Sequence, residues 1–284
     1  MEPIQAEIPV AAWIQERKGA RKVSEIPPEV LNLLNSGQIQ SVNLTEWLAV
    51  DHQLLFQHVV QSLDLEVECQ DMLSRWNQHP TETRIMKLIP AFAADWLQFL
   101  NKLTIERREE VFQSLATHPS DSVRCWAAYI IGLDPQLELA DRLSGIRAFA
   151  ADAHFGVREI SWMAVREAII LQLPQALALL DTWVQNPDAN IRRFAIEATR
   201  PQGVWAKHIT ALKNEPALGL HLLEAVRSDP AKYVQDSVGN WLNDAAKSHT
   251  DWVQSVCDRW RKQSATKETS RIVTKALRTI NKQK

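Results

Sequence analysis

The chain has 284 residues, a formal net charge of −2 and 45% apolar side chains, the balance of an ordinary globular protein and not of a disordered one. No apolar run reaches the roughly 18–20 residues that span a bilayer, and the amino terminus shows no basic stretch before an apolar one, so it does not read as a signal peptide. Cys69, Cys125 and Cys257 are odd in number and lack metal-ligand spacing, so a reduced, cytoplasmic protein with no disulfide framework, no metal and no cofactor is expected.

Charge is unevenly placed. Residues 1–117 carry 10 basic and 16 acidic side chains, whereas 257–284 carry 9 and 2. A basic C-terminal stretch fits a nucleic-acid partner or a solvated terminal helix equally.

Taken in order, Pro27-Pro28 precedes a short helix over Glu29–Leu34, which Asn35-Ser36-Gly37 should stop. Asn43 and Glu46 form an N-cap pattern that predicts a helix through Val60. Further helical patterns cover Asp64–Asn77, Glu82–Leu88 and Ala91–Lys102, with breaks expected near Pro80 and Pro90. No stretch alternates in the manner of a strand, so an all-α chain is expected.

From about Ile105 the sequence repeats itself. Four turns (His118-Pro119, Asp152-Ala153, Asn186-Pro187, Asp229-Pro230) each lead to a β-branched anchor: Val123, Val157, Ile191 and Val234. Those anchors lie 34, 34 and 43 residues apart, the period of a helical solenoid. First helices are predicted over Arg107–Thr117, Leu137–Ala150, Pro174–Gln185 and Ala217–Arg227, with a second helix starting at each anchor. The expected organisation is an N-terminal helical region, 1–104, continuous with a repeat domain, 105–284.

Within the second helices, positions 0, +4 and +7 from the anchor form one apolar stripe, the face each repeat should bury. Positions +2, +5, +6 and +9 hold Tyr129; Glu159, Trp162 and Arg166; Arg193, Glu197 and Arg200; and Asp236, Asn240 and Asn243. Side by side, these would form one continuous ligand surface. Arg124, Arg158 and Arg192 recur at +1; as structural groups they would pair with the preceding repeat's Asp or Asn, and as functional groups they would bind phosphate. His154 and His208 read as turn residues.

The turns resemble those of HEAT repeats, which are right-handed superhelices of antiparallel helix pairs. Four motifs are more specific: His154–Glu159, Glu197–Pro201 with Trp205, Tyr233–Lys247 and Thr269–Thr279. Across roughly residues 105–282 they resemble the HEAT-like DNA alkylation repair glycosylases of the AlkC/AlkD superfamily, nearer the AlkC branch. Gln235 departs from that pattern, which has Arg there.

The resemblance implies removal of N3- or N7-alkylated, cationic bases from double-stranded DNA by a monomeric protein. Such bases leave without protonation, so the protein must stabilise charge developing on the sugar, a task for a carboxylate with aromatic neighbours. Glu159 and Trp162, three residues apart on one helix face, are the first candidates; Glu197 and Asp236 are further carboxylates. Glu159 has the alternative of a first-turn acid favoured by the helix dipole, and Glu197 that of an ion pair with Arg193 or Arg200. Candidate DNA contacts are Arg158, Arg166, Arg193, Arg200, Lys207, Arg271, Lys275 and Arg278. Tyr129, Trp126 and Trp205 are candidate aromatic walls, with Trp126 alternatively packed between repeats. A non-catalytic protein that binds damaged or branched DNA, and a protein-interaction scaffold, stay open as alternatives.

Overall fold

The computed structural model describes residues 10–78, 84–203 and 205–282, and among them it contains helices and no strand. No described helix is long and apolar enough to cross a membrane. Two compact units are distinguished: the chain up to Ala91 together with Gln98–Arg124, and Phe92–Leu97 together with the chain from Cys125 onward. Residue 105, where the repeats were expected to begin, lies inside the first.

The first unit is built on α1 (Ala12–Gln15), α2 (Pro28–Asn35), α3 (Leu44–Ala49), α4 (His52–Ser62), α5 (Gln70–Gln78), part of α6 (Ile85–Leu100) and α7 (Ile105–Ala116). Asn43 caps α3 as its sequence implied, its side chain accepting from the Glu46 amide at 3.0 Å. The helix does not continue to Val60, because Asp51 accepts from the amides of Gln53 and Leu54 and starts α4. An aspartate inside an apolar pattern is a strong N-cap. Asp64, expected to open the next helix, has φ 54° and closes α4 instead.

Pro90 does not break α6. A proline inside a helix costs about 3 kcal/mol, which burial of Ile89, Phe92, Ala93 and Trp96 on the same helix offsets. The break expected near Pro80 lies outside the described residues.

Burial lowers the His52 imidazole from its ordinary 6.5 to about 4, against a smaller opposing pull from Asp51. The unfolded chain takes up this proton first, so the stability tied to His52 is complete above 6.5 and is lost as pH falls towards about 4. It is worth about 3 kcal/mol. The urea midpoint of the full chain should therefore drop over that window, and His52→Gln should flatten the drop.

The second unit contains α8 (Asp121–Leu133, whose first turn belongs to the first unit), α9 (Leu139–Ala150), α10 (Phe155–Leu171), α11 (Leu173–Leu180), α12 (Ala189–Ala198), α13 (Thr210–Asn214), α14 (Leu220–Ala225), α15 (Lys232–Ala245), α16 (Thr250–Gln263), α17 (Lys267–Ala276) and α18 (Arg278–Lys282). Each anchor is the third residue of its helix, in α8, α10, α12 and α15. Every member of the 0, +4, +7 stripe is buried. The predicted first helices over 174–185 and 217–227 are shorter in the structure, ending at Leu180 and Ala225.

One hydrogen-bond pattern recurs at all four turns. The side chain five residues before the anchor accepts from the amide two residues on: His118 from Ser120, Asp152 from His154, Asn186 from Asp188 and Asp229 from Ala231. The +1 side chain then donates back to the carbonyl of that same turn residue: Arg124 to His118 at 2.7 Å, Arg158 to Asp152 at 2.6 Å, Arg192 to Asn186 at 2.8 Å and Gln235 to Asp229 at 2.7 Å. The +1 arginines thus lock their own turns. Arg192 also reaches the following repeat, gripping Asp229 through two bonds of 2.6 and 2.9 Å. Gln235 keeps the donor that its place requires, so the departure from Arg preserves the turn.

Consecutive second helices pack side by side, α10 on α12, α12 on α15 and α15 on α17. The approach of α8 to α10 is close enough that a Cβ on Gly132 would lie 2.2 Å from the Ala164 carbonyl oxygen. Capped turns, a buried anchor stripe and laterally stacked second helices make this an all-α, HEAT-like solenoid.

Candidate functional site

The lateral packing decides what becomes of positions +2, +5, +6 and +9. Helices that lie flank to flank bury the side chains pointing between them, so Trp162, Arg166, Arg193, Glu197 and Asn243 form an internal polar seam, while Tyr129, Glu159, Arg200, Asp236 and Asn240 stay partly exposed. Arg166 is 2% exposed, Arg193 8% and Glu197 3%.

The seam begins on α10. His154 caps this helix, its Nδ1 accepting from the Gly156 amide at 3.2 Å; Glu159 stands one turn further on, so it is not the first-turn acid that the sequence allowed. Trp162 Nε1 donates to Glu159 Oε2 at 2.9 Å. From α12, Arg193 Nη2 donates to Glu159 Oε1, and the same nitrogen lies 3.7 Å from Glu197 Oε1. The Arg193 guanidinium rests 4.1 Å from the centroid of the Tyr233 ring, which Arg158 also faces at 5.3 Å. Glu197 further accepts from Ser237 Oγ at 2.6 Å and from Arg200 Nη1 at 3.1 Å. Arg200 in turn grips Asp244 at 2.8 and 2.9 Å, and Lys247 follows at 3.2 Å. Charges therefore alternate along one line, Glu159, Arg193, Glu197, Arg200, Asp244 and Lys247, across three helices.

Burial alone would raise the Glu197 carboxyl, but Arg193, Arg200 and the Ser237 hydroxyl outweigh it and hold the group below its ordinary range. Burial would likewise lower Arg193, and Glu159 and Glu197 hold it above. Arg166 has no such carboxylate bond. Burial, with the like charge of Arg200, lowers it to about 10. Glu159 is the open end of the line, its side chain 31% exposed.

Several expected roles change. Arg166 and Arg193 are buried and hydrogen-bonded within the protein, so they are not phosphate contacts. Arg158 is held by its own turn and by Tyr233. Trp126 is fully buried and stacks on Phe92 at 5.2 Å, so it packs the core and forms no wall. Trp162 is buried too: its N–H donates to Glu159, and its ring face meets the Arg166 guanidinium at 5.9 Å. Asp236 is neutralised by Arg271 and Lys275 at 2.7 and 2.5 Å, and despite burial these two cations hold its carboxyl below the ordinary value. Here α17 covers α15: a Cβ on Gly239 would meet Lys275 at 2.8 Å, and Arg278 donates to Asn240 at 2.9 Å.

Tyr129 and Trp205 do come together, on a half-open groove of about 410 Å³ that Met163, Glu167, Leu171 and Lys207 also line. Burial pushes the Tyr129 phenol up to about 12, while Trp205 is 59% exposed. Lys207, itself exposed, pairs with Glu167 at 2.7 Å.

Sequence reasoning missed Tyr233, Ser237 and Asp244. For Asp244 a signal existed. An aspartate in the last turn of a helix opposes the macrodipole, which points to a cationic partner, here Arg200 and Lys247. Among the described residues no group of His, Cys, Asp and Glu is arranged to hold a metal ion.

Residues 140–278 match the family model of the DNA alkylation repair enzymes. The chain is 34% identical over 125 residues to the uncharacterized protein YhaZ of Bacillus subtilis (strain 168), a match covering 44% of this chain and 34% of that protein. Its fold is similar to that of the Pseudomonas fluorescens alkylpurine DNA glycosylase AlkC bound to DNA containing an abasic site analog. The TM-score is 0.64 at 21% identity, over 80% of this chain and 62% of that one. AlkD2 from Streptococcus mutans is similar over 74% of this chain and 97% of its own, with TM-score 0.56 and 21% identity. Through residues 140–278 the chain is similar to the DNA alkylation repair enzymes, and its fold is similar to those of the AlkC and AlkD2 structures.

Proposed function

We propose that the protein is a DNA glycosylase that releases N-alkylated, positively charged bases from double-stranded DNA, acting as a cytoplasmic monomer. The observation that carries this reading is Glu159, a half-exposed carboxylate oriented by Trp162 and Arg193 and backed by Glu197. As the bond from the sugar to the base nitrogen breaks, its electron pair neutralises the base and the positive charge passes to the deoxyribose. Glu159 stabilises that charge, orients the water that adds to the sugar carbon and takes up the proton that this water releases. A carboxylate fixed beforehand does this without reorganising during the reaction. Tyr129 and Trp205 offer π-faces to the cationic base or the sugar, each contact worth about 0.5–2 kcal/mol. Lys207, Arg271, Lys275 and Arg278 meet the phosphates, making binding fall with salt, whereas Arg200 is spent on Glu197 and Asp244. Mass-spectrometric detection of bases released from methylated duplex DNA, with Glu159→Gln as control, tests this reading.

A second reading has its own support. Glu159 and Glu197 share the cation Arg193, which suits a protein that binds alkylated DNA without excising the base. Salt-dependent binding to methylated DNA with no base released would select it.

A further inference from the structure

Arg166 is the most heavily committed buried cation of the second unit that the chemistry above leaves without a task. Its guanidinium donates to four backbone carbonyls: Ala198 at 2.7 Å, Glu197 at 3.4 Å, Arg200 at 2.5 Å and Lys207 at 3.0 Å. Ala198 and Glu197 end α12, where a helix leaves its last carbonyls without partners, and Arg200 lies two residues beyond it. The fourth lies beyond Trp205. One side chain of α10 therefore holds both ends of the connection that carries Trp205. Three further bonds close the same connection: Ile209 N to the Pro201 carbonyl at 3.1 Å, Trp241 Nε1 to the Thr199 carbonyl at 2.9 Å, and the exposed Lys207–Glu167 pair.

The connection needs holding. Trp205 has φ 62°, a left-handed conformation that a bulky residue adopts only where its surroundings impose it. Its indole stands 59% exposed beside the groove, so the indole's own burial does not explain the conformation. Arg166 also reaches the groove lining, although it is buried and directs its donors at the main chain.

We infer that Arg166 is a positioning residue: it staples the connection between α12 and α13 so that Trp205 is held on the groove, ready to stack against DNA at the lesion. The inference rests on the DNA-binding reading above. Lysine at this position keeps the charge but not the planar fork that reaches carbonyls on both sides.

The test is a double-mutant cycle on duplex DNA containing a tetrahydrofuran abasic-site analog, with amide hydrogen exchange of the free protein alongside. Trp205→Ala is expected to weaken binding about tenfold, the scale of one lost aromatic stack. Arg166→Lys should weaken it similarly and speed exchange across residues 199–208 while α10 stays protected. The double variant should bind no worse than Trp205→Ala alone, because residues acting through one another are not additive. Additive losses of about a hundredfold, or unchanged exchange at 199–208 in Arg166→Lys, would overturn the inference. Should Arg166→Lys fail to fold, Gly203→Ala replaces it, since a Cβ there would lie 3.0 Å from Ala206 and shift the connection without touching the buried guanidinium. Its loss of binding should likewise vanish in the Trp205→Ala background, and additivity there counts against the staple. Wild-type protein with no affinity for any duplex would defeat the DNA reading, while the exchange measurement still decides the role of Arg166.

Discussion

Arg193→Met is expected to lower the unfolding free energy by about 3–5 kcal/mol, the usual cost of removing one partner from a buried ion pair. The methionine fills much of the volume and still lies on Tyr233, so the loss is mainly electrostatic. It falls on two carboxylates at once, because Arg193 serves both Glu159 and Glu197. Glu197 retains Arg200 and Ser237, which sets the sign of a pH effect. In the intact protein its carboxyl is held below the ordinary 4.5. The associated stability is therefore present above 4.5 and is lost as pH falls through the lower folded value. Without Arg193 that depression shrinks, so the variant should be destabilised at neutral pH and show a weaker further loss on acidification. Chemical denaturation at pH 7 and pH 4 measures both. Arg193→Lys should recover part of the stability, since an ammonium restores the charge but cannot lie flat on Tyr233 while bridging two carboxylates.

How far the sequence foretold this arrangement follows from which features are local. The turn motif was legible because its parts lie within seven residues: a capping side chain, a β-branched anchor and a donor at +1. The buried stripe was legible because helical periodicity alone defines it. The opposite face was misread. Its mixture of Arg, Glu and Asn resembles a solvent surface, and whether it is exposed depends on how closely α10, α12, α15 and α17 approach one another. That spacing depends on contacts over about 35–40 residues of separation, such as Arg193 with Glu159 and Lys275 with Asp236. Arg166 shows the difference most clearly. By composition it is a phosphate ligand, and by environment it is a main-chain staple. In the first unit, Pro90 and Asp51 show local rules failing in opposite directions: burial carried a helix through the proline, and a side-chain cap broke one where the apolar pattern ran on.

Glu159→Gln carries the largest expected effect on activity. Glutamine keeps the length and shape of the side chain, and its amide oxygen still accepts from Trp162. What disappears is the negative charge facing the open end of the seam. Losing one preorganised charge-stabilising group lowers turnover by about a hundred- to a thousandfold, roughly 3–4 kcal/mol of barrier. Affinity for duplex DNA should stay within a few-fold of wild type, or rise slightly, because a negative charge near the backbone has been removed. A proportionate loss of binding would instead mean that Glu159 builds the DNA surface and not the chemistry.

The decisive measurement is therefore the amount of free base released from methylated duplex DNA by the wild-type protein and by Glu159→Gln, quantified by mass spectrometry under single-turnover conditions. The account predicts release of an N-alkylated purine by the wild type, and release reduced by at least a hundredfold in the variant with DNA binding retained. Base release that persists undiminished in Glu159→Gln, or no release of any alkylated base by wild-type protein that binds the same DNA, would contradict it.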